Sequence, residues 1–238
     1  MQIRNFLFDL DDTLFDFHAA EHRAVSLTLT HFGIEPTEEH CALYSRLNLE
    51  QWKKLEKGEI TRAEVKINRF ARFFEQTGLS VDPKAAAAFY ESRLSEGYFF
   101  MPGALELLQS LYGRYRLYLV TNGTARVQQG RLADAGIAGY FDGIFISELI
   151  GADKPSKAYF DACFAKIPDF RKEQTVLVGD SLSSDIRGGK DAGLYTVWYN
   201  PKRKMLSTGD VVPDKIIAEL SEIPALCEAL SKESEDVL

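Results

Sequence analysis

The sequence predicts an α/β protein: a Rossmann-like parallel sheet core with helices on both faces, interrupted by an all-helical insert. Two observations carry this. Short apolar runs alternate with helically spaced segments from residue 100 onward, and one such run opens the chain. That alternation builds a parallel sheet covered by helices. Between these parts, residues 17–99 show helical spacing with almost no strand signal. The stretch is too long and too periodic for an ordinary loop.

Ile3 to Phe8 is a short, mostly apolar run that stops at a cluster of acids, as a buried strand would. The segments 18–32, 38–56, 61–76 and 83–96 read as helices. Turns punctuate them at Phe32-Gly33 with Pro36, at Gly58, and from Gly78 to Pro83. Thr61 and Glu64 form a capping-box pattern. After Pro102 and Gly103 a helix at 103–112 leads to a strand from Arg116 to Val120. A second helix leads to a strand from Gly143 to Ser147, and a third at 156–166 to one from Thr175 to Val178. A last helix leads to a strand from Leu194 to Tyr199. The expected domains are therefore 1–16 with 100–238 as the α/β core and 17–99 as the insert. The acidic tail from Ser231 to Leu238 is expected to fray.

Composition narrows the function. Hydrophobic residues make 45% of the 238 and charged residues 26%, a globular balance. The net charge of -7 argues against nucleic-acid polymers and anionic membranes as partners. Cys41, Cys163 and Cys227 are far apart and form no CxxC, so free thiols are expected. No apolar run follows a basic start and none is long enough to span a bilayer, so a cytoplasmic protein is expected. The sequence carries no signal for an oligomeric state.

Ligands of open parallel sheets bind at the carboxyl ends of the strands. The first strand runs into Asp9-Leu10-Asp11-Asp12-Thr13, the second into Thr121-Asn122-Gly123. Lys154-Pro155 follows the third, and the fourth meets Gly179-Asp180 and then Asp185. Asp9 and Asp11, two apart, would leave the same side of an extended chain. Carboxylates held close repel, so a shared proton or a cation must neutralise them. Asp180 favours the cation, and oxygen donors without Cys or His suggest magnesium.

Such a site fits phosphoryl transfer, because a metal and Lys154 would let a carboxylate approach an anionic phosphate. Thr121 and the backbone N–H groups around Asn122 and Gly123 would bind phosphoryl oxygens. Asp11 would then be the proton donor and acceptor, and Asp185 would hold Lys154 or the metal's surroundings in place. Each feature alone reads equally well as a turn or helix cap. Their joint order after apolar strands is what points to chemistry.

At these residues the chain resembles the haloacid dehalogenase superfamily of phosphohydrolases, through DLDDT at 9–13, TNG at 121–123, KP at 154–155 and GDSLSSD at 179–185. The resemblance implies that Asp9 forms an aspartyl-phosphate and Asp11 is the acid/base. It implies magnesium on Asp9, Asp180 and the backbone carbonyl of Asp11, with phosphate on Thr121 and Lys154. The insert looks like the family's C1-type cap. More narrowly, the chain is similar to the 5'-nucleotidases of pyrimidine nucleoside monophosphates, through Asn48, Trp52, GEIT at 58–61, Arg69-Phe70 and YFDGIFISELIGADKP at 140–155. That implies a small phosphorylated metabolite, a nucleotide, as substrate.

Trp52 could then stack on a base and Arg69 bind a phosphate or ribose oxygen, with Asn48 one helical turn from Trp52. The plainer alternatives are core packing for Trp52 and an ion-paired or exposed side chain for Arg69. Lys202-Arg203-Lys204 reads as a solvated loop. The competing functions are a sugar-phosphate phosphatase or phosphomutase, a 2-haloacid dehalogenase, and a non-catalytic binding protein. Asp11 and Asp180 count against the dehalogenase, whose halide leaving group needs no proton.

Overall fold

The computed structural model describes residues 1–235. Contacts divide the chain into two compact units, one of residues 1–16, 100–125 and 135–238, the other of 17–99 and 126–134.

The first unit is built on a six-stranded parallel sheet in the order β3-β2-β1-β4-β5-β6. The strands are β1 (Asn5–Phe8), β2 (Arg116–Thr121), β3 (Gly143–Ile146), β4 (Thr175–Gly179), β5 (Tyr195–Tyr199) and β6 (Lys215–Ile217). All residues of β1 and β4 are buried, which is why these strands read as mostly apolar runs rather than alternating ones. Helices α5 (Ala104–Leu111), α7 (Ser147–Ile150), α8 (Lys157–Phe164), α9 (Arg187–Asp191) and α10 (Ile223–Glu235) accompany the sheet. One core cluster joins Leu7, Val120, Phe145, Tyr159, Phe160 and Leu177. The chain winds outward from β1 through β2 and β3, then returns to the other side of β1 for β4, β5 and β6. The strand order therefore reverses between β1 and β4, the switch point where such sheets bind ligands.

The second unit is helical: α1 (Phe17–His31), α2 (Glu38–Glu56), α3 (Arg62–Thr77), α4 (Pro83–Leu94) and most of α6 (Ala125–Asp134). Local chemistry sets the ends. Thr37 caps α2 through His40 N, and Thr61 and Glu64 close a reciprocal capping box on α3. Gly78 ends α3 at φ 69°, a left-handed conformation that glycine adopts without penalty. Asp82 caps α4, with Pro83 in its first turn. The core includes Val25, Tyr44, Leu47, Phe70, Phe73 and Tyr90.

Three features differ from the sequence expectation. Residues 126–134, expected with the sheet, pack with the helices. Val127 joins their core, the Arg131 side chain donates to Gly97 O at 3.0 Å, and a Cβ at Gly130 would come within 2.6 Å of Ser95 O. Strand β6 escaped notice because it is three residues long with one buried side chain. The tail expected to fray is helical as far as Glu235; residues 236–238 lie outside the described part. All three cysteines are free and buried. Among the described residues no helix is long and apolar enough to cross a membrane.

Candidate active site at the carboxyl edge of the sheet

Asp9 is the first residue beyond β1, and its N–H still donates to Val178 O of β4 at 2.9 Å. The backbone does not stay extended. Asp12 takes φ 60°, a left-handed geometry that aspartate tolerates better than most residues. Leu14 N and Phe15 N both return to Leu10 O, at 2.9 and 2.8 Å. Leu10, Leu14 and Phe15 are fully buried, which anchors this tight loop from below.

Asp9 is 6% exposed and held through both oxygens. Lys154 Nζ donates to Oδ1 at 2.6 Å and Thr13 Oγ1 donates to Oδ2 at 3.1 Å. Lys154 makes two further bonds, to Asp185 Oδ1 at 2.7 Å and to Val120 O at 2.8 Å. All three ammonium protons therefore have partners within the protein. Burial alone would lower the Lys154 pKa, but Asp185 and Asp9 outweigh it and the group stays charged.

Asp185 sits in a helical turn at 182–186 and accepts Ser181 N at 3.0 Å with its other oxygen. The turn approaches β4 so closely that a Cβ on Gly179 would come within 2.4 Å of the Asp185 carboxyl group. Only glycine fits there. Asp180 follows, and its carbonyl accepts the Trp198 indole N–H at 2.8 Å.

Oxygens of Asp9, Asp180 and Asp185 lie within 4.8 Å of one another. Burial pushes Asp9 up to about 7, with Lys154 pulling it down and Asp185 and Asp11 adding to the rise. Burial also pushes Asp180 well above the carboxylate range, reinforced by Asp9, Asp185 and Asp12. One ammonium does not balance three crowded carboxylates. A hard dication would, and a purely oxygen donor set suits magnesium. The residues present thus fit the metal that the sequence implies.

The structure refines the expected set. Among the described residues the acids drawn together are Asp9, Asp180 and Asp185, and the Asp11 carboxyl is not among them. Thr121 ends β2, buried, and pairs with Ile146. The Asn122 amide brackets the Lys154 backbone, donating to its carbonyl and accepting its N–H, both at 2.8 Å. That side chain is committed to the Lys154 loop, so any phosphate contact from Asn122 must be through its backbone. Two partners were not foreseen. Thr13 lies four residues from Asp9, a spacing readable in hindsight. Trp198 gave no signal, because an aromatic in a strand reads as core.

Asn48 and Arg69, expected at the substrate, lie inside the helical unit, each 3% exposed. Asn48 Nδ2 donates to Glu21 Oε1 at 2.7 Å, and Arg69 Nη1 donates to Asn48 Oδ1 at 3.1 Å. The Arg69 guanidinium also lies 4.6 Å from the Tyr90 ring centre and 3.7 Å from Glu91 Oε1. Trp52 is partly buried, with the Arg62 guanidinium 5.5 Å above its ring.

Comparison with known proteins follows the same lines. Residues 3–193 match the haloacid dehalogenase-like hydrolase family. The chain is 40% identical over 196 residues to the pyrimidine 5'-nucleotidase PynA of Streptococcus pneumoniae, covering 82% of this chain and 83% of that protein. It is 31% identical over 219 residues to the pyrimidine 5'-nucleotidase YjjG of Escherichia coli, covering 92% and 95%. The magnesium-bound crystal structure of YfnB from Bacillus subtilis superposes with a TM-score of 0.91 at 38% identity, covering 95% of this chain and 99% of that one. A 2-haloacid dehalogenase from Xanthobacter autotrophicus shares the fold, with a TM-score of 0.76 at 19% identity.

Proposed function

The chain belongs to the haloacid dehalogenase-like hydrolases, and from that premise we propose that it is a magnesium-dependent phosphatase of nucleoside monophosphates, with Asp9 as nucleophile. The observation that carries the reading is the crowding of Asp9, Asp180 and Asp185 within 4.8 Å around a carboxylate already gripped by Lys154. Asp9, Asp180 and the Asp11 carbonyl would hold the metal. When bound, magnesium neutralises charge on the phosphate and on these carboxylates.

In this reading the Asp9 carboxylate attacks phosphorus, an O–P bond forms, and the ester O–P bond breaks. Asp11 gives its proton to the departing alkoxide. Asp11 then takes a proton from water, the resulting oxygen attacks phosphorus, and inorganic phosphate leaves with Asp9 restored. Lys154 and Thr13 fix the two oxygens of Asp9, so the nucleophile is aimed before substrate arrives. Asp185 acts through Lys154, which it holds at 2.7 Å. Thr121 and the backbone N–H groups after β2 receive phosphoryl oxygens. Residues 17–99 serve as the cap.

The two 5'-nucleotidase relatives support pyrimidine nucleoside monophosphates as the first substrate class. The test is phosphate release by the purified protein with magnesium, across pyrimidine and purine nucleoside monophosphates and sugar phosphates. Highest kcat/KM on the pyrimidine esters is the expected result. Preference for sugar phosphates would overturn the substrate class, isomerised product without free phosphate would show a mutase, and no turnover of any ester would overturn the whole reading.

A further inference from the structure

The mechanism leaves one strongly charged segment unused. After β5 the chain presents Lys202, Arg203 and Lys204 in succession, all exposed, in a protein whose net charge is -7. None of the three side chains forms a hydrogen bond or ion pair among the described residues. The segment is nevertheless held in shape. Asn200 Nδ2 donates to Lys204 O and Asn200 Oδ1 accepts Lys204 N, both at 2.9 Å. Arg203 N closes the turn onto Asn200 O at 3.0 Å, with Arg203 itself at φ 49°. Asn200 is buried, so the bracket is rooted in the sheet.

Its position follows from register. β5 pairs with β4 in parallel, Gly179 opposite Trp198, which sets Asp180 level with Tyr199. The loop therefore leaves the same edge of the sheet as the acids, one strand over. At about 4.8 Å between strands and 3.3 Å per residue, its root stands roughly 6 Å from Asp180. The Trp198 indole bond to the Asp180 carbonyl fixes the two strand ends together.

A phosphate ester approaching this edge meets Asp9, Asp11, Asp12, Asp180 and Asp185, whose charge Lys154 and a single dication offset only in part. We infer that the loop carrying Lys202, Arg203 and Lys204 captures the anionic ligand, drawing a dianionic phosphate toward the carboxyl edge before it reaches Asp9. The substrate's identity as a phosphate ester rests on the proposed function; the capture of an anion does not. Three cations on the same edge of the sheet as the acids raise association rates by long-range attraction, an effect that salt screens. The Debye length falls from about 30 Å at 0.01 M to about 8 Å at 0.15 M ionic strength.

The experiment compares the wild type, a loop variant (Lys202→Gln, Arg203→Gln and Lys204→Gln together) and a control (Arg4→Gln, Arg114→Gln and Lys172→Gln together). The control removes the same charge from the opposite edge, where β1, β2 and β4 begin. Inorganic phosphate binding and kcat/KM are measured with magnesium at low and high ionic strength. The loop variant is expected to lose about fivefold to tenfold in kcat/KM and in phosphate affinity at low salt. Its kcat stays unchanged and the deficit shrinks within twofold at high salt. Equal losses in the control would show net charge rather than the loop at work and would overturn the inference, as would a loop variant matching wild type. If phosphate binding depends on the loop but no ester turns over, the capture role stands and the proposed function falls. A wild type that binds no phosphate overturns the inference and, if it still turns over esters, leaves the proposed function standing.

Discussion

Each unit of the molecule buries a cluster of charged groups, and the two clusters are built on opposite principles. In the helical unit, Glu21 and Glu91 meet Arg69 and Lys66, with the Asn48 amide joining Glu21 to Arg69. Two acids face two cations. In the sheet unit, Asp9, Asp180 and Asp185 crowd within 4.8 Å, and Lys154 is the cation bonded among them. A charge-balanced cluster has no net charge for an outside ion to neutralise, even though Glu91 Oε1 keeps no hydrogen bond among the described residues. An unbalanced one is unfavourable until something positive arrives, which is how a binding site differs physically from a polar core.

The largest effect that would break this contrast comes from single substitutions in each cluster. Asp9→Asn is expected to lower kcat by on the order of 10^4-fold or more, as loss of a nucleophile does elsewhere. Its thermal midpoint in chelator should hold or rise, because one of three repelling charges is gone. Arg69→Met is expected to do the reverse to stability. It leaves the buried Glu21 and the half-buried Glu91 with less compensation, costing about 3–5 kcal/mol by denaturant titration. A stable Arg69→Met protein, or an Asp9→Asn protein that unfolds easily, would erase the distinction.

A second measurement sharpens it through pH. Burial holds the folded Asp9 carboxyl up to about 7, against 3.8 for an ordinary aspartate. With a raised folded value, the group favours the fold fully below about pH 4, and that contribution is lost as the pH climbs toward 7. Magnesium removes the penalty by taking the proton's place. The gain in thermal midpoint on adding magnesium should therefore be larger at pH 7 than at pH 5. Equal gains at both values would mean that the acids do not form the metal site.

The same contrast explains what could be read without coordinates. The sheet announced itself because β1 and β4 are buried on both faces, so beyond Asn5 and Thr175 their sequences are apolar without alternation up to Asp9 and Asp180. Asp9 and Asp180 stand out because each directly follows a buried strand, whereas Lys154 and Asp185 lie further along and were legible only through the order of the motifs. The burial of Asn48 and Arg69 was not legible, since helical spacing shows that two residues share a face but not whether it turns inward. The bracket of the Asn122 side chain on Lys154 was not legible, because a Thr-Asn-Gly turn shows where backbone N–H groups gather but not which loop the amide will hold. Segment 126–134 was assigned by chain order, whereas Val127, Gly130 and Arg131 obey packing.

The smallest expected effect lies outside both clusters and tests whether a paired surface acid behaves as neither of them. Asp214 accepts Lys190 Nζ at 2.7 Å, Thr196 N at 2.8 Å and Thr196 Oγ1 at 2.9 Å, tying the start of β5 to the segment before β6. Burial pushes its carboxyl up, but Lys190 and Thr196 outweigh that and its pKa is lowered. The sign is opposite to that of Asp9. Its contribution is fully present above the ordinary aspartate value and is lost as the pH falls through the lowered folded value. Solvent screening keeps it modest, so Asp214→Asn should cost about 1 kcal/mol at pH 7 by denaturant titration. The deficit should shrink as the pH falls through the carboxylate range, with kcat unchanged throughout. A penalty independent of pH would mean that Asp214 acts by shape and hydrogen-bond geometry rather than by charge, and charge balance would then not be what separates the quiet acids of this protein from the reactive ones.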